Sequence, residues 1–172
     1  MYRCVRMNTT SILSRGEDEE KLVKVLKTDM QLIVPGKVSC FNVVEKKFTG
    51  ARLMNLRSGT NVVLVFDTDT GNETILRENI RILEKCAAVK AVICIPQVKN
   101  LEEELAYSCR IKQIRELTNS RTNGEFKRDL LREGNLAQKL ENKGFHFERF
   151  WSRNPCIGYE GIQNEAYKIK IK

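Results

Sequence analysis

The sequence predicts an α/β fold in which a four-stranded, mostly parallel sheet is flanked by helices and followed by a basic helical extension. Two observations lead to this prediction. Apolar runs of strand length alternate with amphipathic stretches of helical period through the first two-thirds of the chain. The run at residues 62–66 is apolar at every position, which is typical of a central parallel strand covered on both faces.

Four apolar segments define the expected strands. The second follows the Pro35-Gly36 turn, the third ends in Asp67, and the fourth is stopped by Pro96. The predicted strands cover residues 9–14, 37–45, 61–67 and 89–96.

The connections between these strands are expected to be helical. Residues 16–30 have an acidic first turn, which suits the helix dipole, followed by an apolar stripe. A short helix bounded by glycines is expected within 50–59 and a third helix over 72–86. Four strands joined in this way imply right-handed βαβ units.

Beyond Gln97 the sequence indicates helices only, and Gly144 is expected to terminate the last of them. We therefore expect one compact domain in which an α/β core over 1–98 carries a helical extension over 99–172. The helical segments of the extension are 100–109, 111–117, 124–133 and 135–144.

Composition narrows the class of protein. A hydrophobic content of 41% and a charged content of 30% are those of a globular chain. The net charge is +8, and residues 110–172 hold 14 Lys and Arg against 8 Asp and Glu, so most of the excess lies in the last third. Such a balance suggests a polyanionic partner such as nucleic acid, although many basic proteins have none.

Six cysteines lack any C-x-x-C spacing, which argues against a cysteine-based metal site. Cys40, Cys86 and Cys94 fall on apolar stretches and are expected to be buried free thiols. No signal peptide opens the chain and no apolar run approaches the length of a membrane span. We expect a reducing cytoplasm and no membrane partner.

An aspartate pair closes the third strand in the segment VVLVFDTDTGN, residues 62–72. Side chains two apart on a strand point the same way, so Asp67 and Asp69 could share one Mg²⁺ or Mn²⁺ ion at the ligand-binding edge of the sheet. One alternative is a polar turn that caps the next helix. Another is the haloacid dehalogenase group of phosphatases, which also end a strand in D-x-D but want Thr or Val where Gly71 stands.

Taken with the preceding segment SILSRGEDEEKLVKVL and a second βα unit, the D-x-D strand resembles the Toprim family, and the resemblance covers roughly residues 9–96. Toprim domains are the Rossmann-like catalytic modules of type IA and type II topoisomerases, bacterial primases and the OLD and RloB-like nucleases. Their pattern is a strand ending in Glu-Gly and a later strand ending in Asp-x-Asp. The resemblance implies that aspartates hold Mg²⁺ at a phosphodiester while a glutamate moves protons.

This chain departs from that pattern at one position, because Arg15 stands before Gly16 where the family has glutamate. Glu17, at the head of the helix, is the candidate replacement, and its other role would be to complement the helix dipole. In NLEEEL, Glu102 or Glu103 could complete a second metal site, or these acids could form a solvated first turn.

Five basic residues are the candidates for nucleic-acid contacts. The aromatics around the last two could stack on bases, or they could dock the tail onto the core. The basic candidates are Arg15, Lys127, Arg128, Arg149 and Arg153.

The leading hypothesis is a divalent-metal-dependent nuclease-like protein with catalytic residues Glu17, Asp67 and Asp69. The Toprim resemblance adds an expected context of phage defence or a mobile element. One alternative is a catalytically silent Toprim module that binds nucleic acid or a partner ATPase, and the other is the phosphatase. The oligomeric state is left open, with a homodimer as one option.

Overall fold

The chain folds around a four-stranded, fully parallel sheet in the order β2-β1-β3-β4, as a computed structural model covering residues 9–70, 72–155 and 157–171 shows. The sheet is flanked by helices, so the predicted α/β class is confirmed and is consistent with a Rossmann-like fold. The strands are β1 (Thr10–Ser14), β2 (Lys37–Cys40), β3 (Thr60–Asp67) and β4 (Val89–Gln97).

Two strand ends differ from the prediction. The strand β2 stops at Cys40 instead of residue 45, because the segment that follows is held by the buried amide of Asn79, which accepts from the Phe48 N–H and donates to the Val43 carbonyl, each at 2.8 Å. The strand β4 runs through Pro96 to Gln97. Since β4 is an edge strand, the missing N–H of proline breaks no ladder.

Seven α-helices are described, and those in the extension are shorter than predicted. The glycine predicted to end the last helix does so, since Gly144 has a φ of +66°, the left-handed conformation that glycine adopts without strain. The helices are α1 (Glu17–Thr28), α2 (Gly50–Met54), α3 (Thr74–Glu84), α4 (Leu101–Ser108), α5 (Arg115–Thr118), α6 (Phe126–Arg132) and α7 (Leu136–Asn142).

The sheet separates two apolar cores. On one face, side chains of β1, β3 and β4 pack with α1 and with the helices after Gln97. On the other face, Phe66 and Leu76 pack with residues near the end of the chain, among them Tyr159. The tail aromatics Phe150 and Trp151 are buried in the first core, with ring centroids 4.6 Å apart, so they dock the tail and are not available for stacking on bases.

Of the cysteines predicted to be buried, Cys94 is buried and Cys86 is half-buried, but Cys40 is exposed because it ends a short edge strand. Burial raises the pKa of the Cys94 thiol to about 12.

Within the described ranges, no helix is long and apolar enough to span a bilayer.

Candidate functional site

The carboxyl ends of β1, β3 and β4 bring three polar side chains together. Arg15 follows β1 directly, Asp67 ends β3, and Gln97 ends β4 opposite Asp67 in the strand register. The guanidinium of Arg15 donates to the Asp67 carboxylate, and Gln97 Nε2 donates to the other carboxylate oxygen at 2.9 Å. Both oxygens of Asp67 therefore have partners within the protein.

Glu19 is the fourth member of this cluster, and α1 puts it there. It lies one turn before the buried stripe of α1, on the same side as Leu22 and Val23, and its side chain turns back toward the start of the helix. Its carboxyl group accepts from the Arg15 backbone N–H and from Gln97 Nε2. Burial raises the pKa of Glu19 to about 7, and the hydrogen bond from Arg15 lowers it only in part.

Gln97 connects the two acids and is itself oriented by the tail. The side chain is fully buried, and the indole N–H of Trp151 donates to Gln97 Oε1 at 3.1 Å. Since that oxygen is engaged by a donor-only group, the amide nitrogen must face Asp67 and Glu19. The extension thus fixes the hydrogen-bonding direction of a residue in the sheet.

A third buried acid fixes the position of Trp151. Glu104, on α4, is fully buried and accepts from the backbone N–H groups of Val98, at 2.9 Å, and Trp151, at 3.3 Å. It also contacts Arg153 Nη2 at 3.4 Å. Glu104 therefore connects the residue that follows β4 to the tail.

An open cleft of about 260 Å³ lies in front of the cluster. Among the residues that line it, five are acidic and two basic, so the cleft carries excess negative charge even with Glu19 protonated. Lys127 spans its rim, with Nζ 3.3 Å from Glu102 and 3.8 Å from Asp18. The acids are Asp18, Glu19, Glu45, Asp67 and Glu102, and the bases are Arg15 and Lys127.

Asp67 and Asp69 are not equivalent. Because β3 ends at Asp67, strand alternation does not align Asp69 with it, and Asp69 lies exposed in the bend that follows. The bend is anchored by Thr68, whose hydroxyl donates to the Gln97 carbonyl at 2.6 Å. Both aspartates still border one small depression beside Arg15.

Of the other acids predicted to belong to the site, only some line the cleft. Glu102 lines the cleft, whereas Glu103 is exposed and is not among the residues that line it. Glu17 is exposed at the start of α1 and does not line the cleft. In position, Glu19 takes the place that the sequence suggested for Glu17.

Of the basic residues predicted to contact nucleic acid, Arg15 and Lys127 line the cleft. Arg128 forms ion pairs with Glu125 and Asp129 on its own surface. Arg149 and Arg153 lie against the Tyr107 ring, 4.3 Å and 3.9 Å from its centroid. None of these three arginines is among the residues that line the cleft.

Three site residues were missed from the sequence, namely Glu19, Gln97 and Glu104. A signal existed for Glu19, because residues 19, 22, 23 and 26 form one helical stripe and an acid on a buried stripe needs a partner. Gln97 was missed because the strand was ended at Pro96. Glu104 stands among three consecutive acids, and the local sequence alone does not single it out.

The cleft suits a divalent cation in its chemistry but not in the arrangement seen. Its donors are carboxylate oxygens, which Mg²⁺ and Mn²⁺ prefer, and Mg²⁺ needs only one or two of them from a protein. However, Arg15 and Gln97 engage both oxygens of Asp67, and the described part of the chain has no group of three His, Cys, Asp or Glu arranged around one point. Asp67 borders both the cleft, together with Glu102, and the small depression, together with Asp69.

Comparisons of the chain with protein-family models, with curated proteins and with solved structures gave no match.

Proposed function

We propose that this chain is a Toprim-like, divalent-metal-dependent nuclease that acts on nucleic-acid phosphodiesters, with Arg15 as an internal counter-ion that the metal displaces from Asp67. The observation that supports it best is the convergence of Arg15, Glu19, Asp67 and Gln97 at the carboxyl ends of three strands, beside an open acidic cleft. In open α/β sheets this edge is where ligands bind.

The charge of the cleft supports a requirement for metal. Its five acids against two bases would repel a phosphodiester, which carries negative charge itself. A divalent cation bound at Asp67 and Asp69 would neutralise the excess and polarise the phosphate. Arg15 can leave because a third of its side-chain surface is exposed, whereas Asp67 is held in place by Gln97.

Glu19 supplies the proton-transfer group that position 15 lacks. Its pKa of about 7 lets it exchange a proton near neutral pH, the range in which a general acid or base is most effective. Arg15 cannot do this, because a guanidinium stays protonated at any working pH. In the Toprim pattern the motif glutamate transfers protons. We therefore assign that role to Glu19 in place of Glu17.

A second candidate function is the catalytically silent module that binds nucleic acid or a partner ATPase. The Arg15–Asp67 ion pair favours it, since the arginine already neutralises the one buried aspartate of the cleft. In that case the pair is permanent and no metal binds.

A cleavage assay on labelled single-stranded and duplex DNA and RNA with Mn²⁺ tests the proposal. We expect Asp67→Asn to abolish cleavage and Glu19→Gln to reduce it by about 10²- to 10⁴-fold, because the general acid–base group is lost. Glu17→Gln is the matched control and should cleave like the wild type, since Glu17 is exposed outside the cleft.

Cleavage that survives Asp67→Asn would contradict the proposal. An inert wild type that still binds the strand would favour the silent module. Turnover of a small phosphate ester, with nucleic acid ignored, would favour the phosphatase alternative.

A further inference from the structure

A groove of about 750 Å³ lies between the segment around α2 and one face of the sheet, where Ser11, Leu13 and Ser39 line it. It is lined by residues that begin β1, β2 and β3, namely Thr10, Lys37 and Thr60, together with the segment around α2. No residue lines both this groove and the acidic cleft. We call the groove defined by these residues the α2 groove. It is separate from the proposed nuclease site.

The charge of the α2 groove is opposite to that of the cleft. Lys37, Arg52 and Arg57 line it, and no acidic residue does. All three side chains are exposed, and in the described part of the chain none forms an ion pair with a carboxylate. Arg52 is held over the Phe41 ring, 4.1 Å from its centroid, which leaves its N–H groups free to donate.

The floor and rim of the α2 groove differ in polarity. Leu13 and Phe48 are buried side chains that form part of its apolar floor. The hydroxyl of Ser39 and the exposed amide of Asn55 stand among the cations at the rim. The groove thus combines some apolar surface with a larger number of polar and cationic groups, and its volume lies within the usual range of sites for small organic ligands.

From these contacts we propose that the α2 groove binds a nucleotide unit, with its phosphate on Arg52, Arg57 and Lys37 and its base on the apolar floor. Arginine suits phosphate because its planar N–H groups can donate in pairs to phosphate oxygens. The same chemistry is offered by a free nucleotide and by one residue of a single strand. The proposal is independent of the chemistry in the Asp67 cleft.

Fluorescence anisotropy with a short labelled oligothymidylate strand tests this, with thymidine monophosphate as competitor. The double variant Arg52→Ala/Arg57→Ala should weaken binding by roughly tenfold or more for each lost charged contact. The slope of log affinity against log salt should become shallower by about 0.7 for each lost phosphate contact. Arg81→Ala/Lys85→Ala removes two exposed charges outside the groove and is the matched control.

Two outcomes support the proposal and distinguish the sources of the ligand. Displacement of the strand by thymidine monophosphate shows that a free nucleotide suffices, and resistance to displacement assigns the groove to a strand. In both cases Asp67→Asn should bind the labelled strand like the wild type. The binding result can therefore be interpreted even if the nuclease proposal fails.

Three outcomes overturn it. They are no binding of either probe by the wild type, equal binding by the wild type and the groove variant, and an equal loss in the control variant. Thermal unfolding of each variant checks that it is folded. Arg57→Glu, which reverses the charge of an exposed side chain, is a second variant whose affinity for the labelled strand should also fall.

Discussion

Replacing Glu19 with glutamine should remove about 3 kcal/mol of pH dependence from the stability of this protein. The carboxyl group of Glu19 has an ordinary pKa of 4.5 in the unfolded chain and a pKa of about 7 in the folded one. Unfolding therefore releases a proton between these two values. Stability due to this group is complete below pH 4.5 and is lost as the pH rises to about 7.

Denaturant unfolding of the wild type and Glu19→Gln at several pH values measures this effect. The difference in unfolding free energy between the two should change by about 3 kcal/mol from pH 4 to pH 8 in favour of the variant, whose side chain does not titrate. Glu17→Gln is the control, because Glu17 is exposed on the same turn. A difference that stays constant with pH would show that Glu19 ionises normally and would remove it as the acid–base group.

Glu104→Ala should destabilise the fold by about 2 to 4 kcal/mol, because each buried donor left without its acceptor costs about 1 to 3 kcal/mol. The substitution leaves the backbone N–H groups of Val98 and Trp151 without an acceptor and Arg153 without its carboxylate. Since Trp151 orients Gln97, the variant should also lower the affinity of the Asp67 cleft for its ligands.

The matched control is Glu103→Ala on the same helix, because Glu103 is exposed and should cost less than about 0.5 kcal/mol. Chemical unfolding of both variants gives the comparison. Equal stability of the two variants would mean that the hydrogen bonds of Glu104 to the tail do not stabilise the fold. It would also contradict the inference that Glu104 positions Gln97 through Trp151.

The fold was predictable because it rests on periodicity and burial. The apolar run at 62–66 became the buried centre of β3, and Gly144 ends α7 as expected. The errors lie where tertiary contacts override local sequence. Asn79, more than 30 residues away in the chain, ends β2 early by binding the segment around Phe48, and no local pattern contains that information.

The site was predictable only at its centre. Asp67 was found because it ends an apolar strand, and Arg15 because the family pattern places a different residue there. The partner of Asp67 in β4, Gln97, depends on strand register, which the sequence does not define once Pro96 is taken as the strand end. The role of Trp151 depends on how the extension folds back over the sheet, a contact across 54 residues.

Calorimetric titration with Mn²⁺ of the wild type, Arg15→Ala and Asp67→Asn tests most directly whether Arg15 holds the position of the metal. If Arg15 is a displaceable counter-ion, the wild type should bind weakly and Asp67→Asn should not bind. Arg15→Ala, which frees one oxygen of Asp67, should then bind at least about tenfold more tightly, because no ion pair has to be broken first. Equal heats from Arg15→Ala and Asp67→Asn would contradict this, because freeing Asp67 and removing its charge would then have the same effect.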